Sequence, residues 1–164
     1  MSNIKNTPKI DEEKININRA QAEHRATWMG LIYDEAKKAG VDIEPILRRA
    51  IARTGEINGK RLRTAIGETS NCNEYRPAMF PELSVKTFEK GNIQTTEDTV
   101  SVEFGYCALV SAWQKLGFDD ATCDLLCDIA MDGDRAIARG IGLTLDLTDT
   151  IAKGCDTCKL YFHR

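Results

Sequence analysis

Cys107 closes the alternating run Val102-Glu103-Phe104-Gly105-Tyr106-Cys107 and opens the helix-like run from Ala108 to Gly117. A thiol at a strand-to-helix turn lies beside backbone N–H groups that have no partner inside the helix. Such groups hold an anion or favour a thiolate. Cys107 is therefore the first candidate for catalysis, as a nucleophile or as a thiol in the wall of a site. Tyr106 and Glu103 stand beside it in the sequence and are candidate substrate contacts. The plainer alternative is a small buried residue at a strand end, since free cysteine is among the most buried residue types.

A second cluster gathers Cys127, Asp128, Asp132, Asp134 and Arg135 on a helical stretch. Steps of three and four share a helix face, which brings Asp128 beside Asp132 and in longer line with Arg135. One reading is a solvated charged face. The other gives Asp128 or Asp134 the part of a general base or metal ligand, with Arg135 pairing a substrate carboxylate. Gly133 within the run allows close backbone approach. Cys127 sits among Leu125, Leu126, Ile129 and Ala130 and reads as core packing.

Cys155 and Cys158 form a C-x2-C pair, a spacing found in zinc knuckles and dithiol sites. They are the candidate metal ligands, although a structural zinc needs further donors. No cofactor is demanded by the residues; a divalent metal at this pair is the one to consider. His24, on the first amphipathic helix with Arg25 beside it, is a further catalytic candidate.

These residues need a scaffold, and 164 residues are enough for one domain with a real core. A loose arm over residues 1–17 is expected to precede a domain over 18–164. Ala22, Ala26, Met29, Tyr33 and Ala36 recur at helical steps and describe a helix over 19–38 that ends at Gly40. Asp42 is expected to cap a second helix up to Gly55, and residues 59–67 a short third. Residues 70–81 read as a loop. Strands are expected over 85–95 and 99–106, joined by a turn at Glu97-Asp98, with two more over 142–152 and 158–162. The result is an α+β domain, helices packed on one side of a small antiparallel sheet of about four strands.

A formal net charge of -3 supplies no broad basic surface, so nucleic acid is not an expected partner. No apolar run approaches the ~20 residues of a membrane helix, and the N-terminus lacks the apolar core of a secretion signal. A cytoplasmic protein with no membrane partner is expected, and its six cysteines are free thiols or ligands rather than disulfides. A small-molecule substrate is the expected partner, and a homo-oligomer is compatible with the helix faces.

Tyr106-Cys107, Leu126-Cys127-Asp128-Ile129-Ala130, Gly133-Asp134-Arg135 and the Gly154 to Cys158 ending occur in an order that resembles the L-2-amino-thiazoline-4-carboxylic acid hydrolase family. The resemblance runs from about Thr99 to Phe162, with support from residues 24–40. It departs at Ala108, where the family more often has proline. What it implies is hydrolytic opening of a cyclic aminothiazoline carboxylate, or a related cyclic amidine, to an N-carbamoyl cysteine-type product. Such a reaction needs a base for water, a donor for the departing sulfur and a cation for the carboxylate. The competing class is a non-catalytic small-molecule or metal-binding sensor-like domain. The ending is similar in layout to a vinyl-reductase-like sensor, with Thr150 where a further cysteine would be wanted.

Overall fold

The first long helix, α1 (Glu13–Lys38), buries Ala22, Ala26 and Met29 on one stripe. It ends in a Schellman turn: Gly40 takes a φ of +71°, while the N–H groups of Gly40 and Val41 bond to the carbonyls of Lys37 and Ala36. The computed structural model describes residues 2–164. α1 begins six residues before the expected start, and the segment expected as a loose arm is strapped down. Ile4 is buried at 7 % exposure, and the Lys9 and Ile10 N–H groups donate to Glu89 Oε1 at 2.6 and 2.8 Å. The same carboxylate pairs at 3.0 Å with Arg19, whose guanidinium also donates to the carbonyls of Thr87 and Ile10. A polar segment reads as loose by composition because its partners lie far along the chain.

α2 (Glu44–Ile66) is one continuous helix where two were expected. Asp42 does not cap it; Ile43 stands at the cap with no side-chain bond, and Pro45 occupies the first turn. Gly55 and Gly59 do not break the helix but let it press against α6 (Asp120–Gly140). A Cβ on Gly55 would lie 2.2 Å from the Gly133 carbonyl oxygen, and one on Gly140 would lie 2.9 Å from Gly59 Cα. Gly133 thus serves helix packing. Its close approach is to α2 rather than to a ligand.

Residues 70–81, expected as a loop, contain a 3₁₀ turn (Cys72–Tyr75) and one turn of helix, α3 (Arg76–Met79). The strand expected from residue 85 starts later, because Pro81 at the cap and Glu82 in the first turn begin a short helix, α4 (Glu82–Thr87). β1 (Lys90–Thr95) and β2 (Thr99–Phe104) then form a hairpin. At its Glu97-Asp98 turn, Thr96 Oγ1 accepts the Asp98 and Thr99 N–H groups. α5 (Ala108–Lys115) follows, and after α6 come β3 (Thr144–Asp149) and β4 (Cys158–His163). β3 is shorter than expected, since Ile151–Lys153 turn into a 3₁₀ helix capped by Thr150.

The antiparallel sheet has the order β1-β2-β4-β3. Its strands alternate as a half-buried sheet must. Val100, Val102, Leu145, Leu160 and Phe162 enter the core with Trp113 and Leu126, while Glu103, Asp146, Lys159 and Tyr161 are more open to solvent. Trp113 is fully buried and donates its indole N–H to the Ala26 carbonyl at 3.0 Å, fastening α5 to α1. Among the described residues no helix is long and apolar enough to cross a membrane.

Candidate functional site

α6 offers two stripes to two different neighbours. Residues 128, 132 and 135 share one face, and 127, 131 and 134 share the next. On the first face Arg135 binds Asp128 at 2.7 Å and Asp132 at 2.6 Å. Arg48 of α2 grips the other oxygens of the same two carboxylates at 2.8 and 3.0 Å and reaches Glu44 at 2.9 Å. Burial would raise the Asp128 carboxyl, yet the hydrogen bonds from Arg135 and Arg48 outweigh it and hold the group below its ordinary value. A carboxylate stabilised in this way is a poor base. Asp128 and Arg135 are brought together, and their donors and acceptors are spent on each other and on α2.

The second face looks toward one end of the sheet. There the strand register aligns Lys90 with Phe104 and Phe104 with Cys158, a row whose side chains share the helix-covered face. Asp134 of α6 lies within electrostatic reach of Lys90, Cys107 and Cys158, and Cys127 within reach of Cys107 and Cys158. Cys107 stands at the N-cap of α5. Its backbone is clamped by Asn6, which accepts the Cys107 N–H at 2.9 Å and donates to the Cys107 carbonyl at 2.8 Å. Cys107, Lys90 and Asp134 are each partly exposed residues.

The charges here are unsatisfied, in contrast to the first face. Burial pushes the Asp134 carboxyl up, against the pull of Lys90, Arg25 and Arg135, and among the described residues it has no ion-pair partner. Burial also pushes the Cys107 thiol up. The N–H groups of Leu109 and Val110 favour its thiolate, but neither closes a cap hydrogen bond, and the expected lowering at a helix start loses to desolvation. Lys90 is drawn down to about 8 by burial. Cys158 accepts the Ile151 N–H at 3.2 Å and is pushed up to about 12, and Cys127 is raised as well, so both are inert thiols. Two hollows lie elsewhere, one of about 400 Å³ by Gln94, Glu103 and Tyr161 and one of about 290 Å³ at the turn between α1 and α2. Neither brings a thiol together with an unpaired carboxylate, so the sheet-end cluster is the better candidate for chemistry.

These groups come from elements between Lys90 and Cys158, all inside residues 19–162, which match a family model described as L-2-amino-thiazoline-4-carboxylic acid hydrolase. The chain belongs to that family. No curated protein and no solved structure matches it.

In this member of the L-2-amino-thiazoline-4-carboxylic acid hydrolase family, several residues picked from the sequence stand away from the cluster. Tyr106 is buried against α1, its ring under Arg19 at 4.6 Å and its hydroxyl 3.5 Å from Glu23. Glu103 lines the larger hollow and meets Thr157 at 3.4 Å. Adjacent residues of a strand point to opposite faces, and Glu103 is therefore turned from the row that holds Phe104. His24 is exposed and accepts the Trp28 indole N–H at 2.8 Å. Cys155 is half-buried beside the buried Cys158. Among the described residues no three His, Cys, Asp or Glu side chains come together as a metal-holding group.

Three contributors escaped the sequence reading. Lys90 was one lysine in an expected strand. Arg25, one position from His24, is the α1 residue whose charge reaches Cys107 and Asp134. Asn6 lies 101 residues from the cysteine it clamps. No local motif marks any of them.

Proposed function

We propose that this chain hydrolyses a cyclic aminothiazoline carboxylate, with Asp134 as the general base and Cys107 in the wall of the site. The observation that carries this reading is a half-buried carboxylate without an ion-pair partner among the described residues, raised by desolvation and within electrostatic reach of a thiol and an amine, in a member of a hydrolase family. A raised carboxyl is a better base near neutral pH than the paired Asp128.

Water loses a proton to Asp134 and adds to the ring carbon between nitrogen and sulfur. In the tetrahedral adduct the hydroxyl proton passes to the ring nitrogen as the carbonyl forms, and the C–S bond breaks with its electron pair leaving on sulfur. The proton returns to the thiolate, giving an N-carbamoyl cysteine with a new free thiol. The step as written consumes water and no cofactor. Because Cys107 is held as a neutral thiol, it is assigned to the wall rather than to nucleophilic attack.

The test is incubation with L-2-amino-thiazoline-4-carboxylate, with and without added divalent metal, while following release of thiol. Release by the native protein and its loss in Asp134→Asn support the reading. No release in either condition, from a folded protein, overturns it. Cys107→Ser is expected to keep turnover within about tenfold, whereas a loss beyond roughly a thousandfold would make Cys107 the nucleophile.

A further inference from the structure

The reaction above needs a cation for the substrate carboxylate, and Arg135 is already held by Asp128 and Asp132. Lys90 offers an alternative that nothing in its own surroundings uses up. Its ammonium lies 4.6 Å from the centroid of Phe104, 5.5 Å from Phe80 and 5.9 Å from Phe88. One N–H donates to Ser84 Oγ at 2.9 Å. An ammonium has three donors, and among the described residues the other two have no acceptor and no ion-pair partner. Three phenyl faces stabilise the positive charge yet offer no oxygen to bond it.

The setting also says which anion fits. Asp134 is the carboxylate that acts on Lys90, and it does so from a distance, without a direct pair. Burial lowers the Lys90 pKa to about 8, so the amine is mostly charged at neutral pH and gains from any anion that comes within bonding distance. Arg25 is exposed and water-screened, and is the weaker choice. Phe80, Phe88 and Phe104 present apolar surface around the ammonium, and Asp134 acts electrostatically on both Lys90 and Cys107.

We propose that Lys90, in its cage of Phe80, Phe88 and Phe104, is the subsite for the carboxylate of a small heterocyclic acid. This rests on the hydrolase reading for the choice of ring, but its binding test does not depend on turnover. Calorimetry compares thiazolidine-4-carboxylate with thiazolidine, a pair that differs in the carboxylate. The acid is expected to bind the native protein at least about 30-fold more tightly, the loss expected when one partner of a desolvated charge pair is removed. Lys90→Met is expected to erase that preference while leaving thiazolidine binding unchanged, and Lys90→Arg to restore part of it.

A preference that survives in Lys90→Met, or is absent from the native protein, overturns the subsite. Folding of each variant is checked by circular dichroism, with Lys90→Arg as the second variant if Lys90→Met does not fold. The thiol-release assay runs in parallel and should show Lys90→Met raising KM for the aminothiazoline acid more than it lowers kcat. If no thiol is released while the Lys90-dependent preference persists, the subsite stands and the hydrolase reading falls. Release of thiol with KM unchanged in Lys90→Met leaves the hydrolase standing and removes the subsite.

Discussion

Asp128 and Asp134 stand six residues apart on one helix and live in opposite electrostatic worlds. Asp128 faces α2 and is bonded by two arginines, which pull its carboxyl down; Asp134 faces the sheet end and is pushed up by burial with no ion-pair partner among the described residues. The same side chain is cement in one place and is left without a counter-charge in contact in the other. Charge density on a helix therefore says less about function than which charges the fold leaves uncompensated.

The largest expected break in this contrast is Asp134→Asn. It should lower kcat/KM for thiol release by roughly 10² to 10⁴-fold, the usual worth of a general base, without lowering the thermal midpoint. Asp128→Asn should do the reverse. Equal losses of activity in both variants would end the distinction.

Next in size is the seam between α2 and α6. A methyl group on Gly55 meets the Gly133 carbonyl oxygen, so Gly55→Ala should cost about 3 kcal/mol by chemical denaturation as the helices are forced apart. A cost within experimental error would show that the seam yields easily. Smaller still is the ion network: Asp128→Asn should cost about 1 kcal/mol or less, because the pairs are partly exposed and screened. The folded Asp128 carboxyl lies below its ordinary 3.8. Its contribution is complete above that value and is lost as pH falls through the folded pKa, so the difference between variant and native protein should vanish in strong acid.

The Lys90 charge acts on stability with the opposite sign. Lys90 ordinarily titrates near 10.5 and sits at about 8 when folded, so the unfolded chain holds the proton more tightly. Keeping the charge costs stability below about pH 8, and the cost fades as pH rises toward 10.5. Lys90→Met should melt above the native protein at pH 7 and lose that advantage in alkali. A lower midpoint at pH 7 would mean that the amine supports the fold.

What the sequence made legible were features whose cause is local. The stripe Ala22, Ala26 and Met29, the hairpin turn at Glu97-Asp98 and the strand-to-helix passage through Cys107 follow from periodicity and turn chemistry. The α2 helix was not legible as one piece, because Gly55 is tolerated through Gly133, a partner on another helix. The second half of α4 was hidden by the strand expected from residue 85, where Val85, Thr87 and Phe88 favour β structure. In the site, Cys107 and Asp134 were visible as types at suggestive spacings, whereas the separation of Asp134 from Asp128 needed the neighbours of both. Lys90 was invisible because its cage is assembled from Phe80, Phe88 and Phe104, which belong to the approach to α4, its exit and β2. Tyr106 was drawn in by adjacency alone, and adjacency in a turn does not fix direction.

The Asn6 clamp on Cys107 has a temporal side. A chain emerging from the ribosome cannot seat residue 6 before residue 107 has followed it, so one of the earliest-made segments settles among the later ones. Until it does, α1 and the strands of the hairpin can already be in place while the cysteine turn is still unfastened. Completion of the site is thereby tied to the closing of a loop of about a hundred residues, and pulsed hydrogen exchange should show the Cys107 amide gaining protection after the amides of the local β1–β2 hairpin.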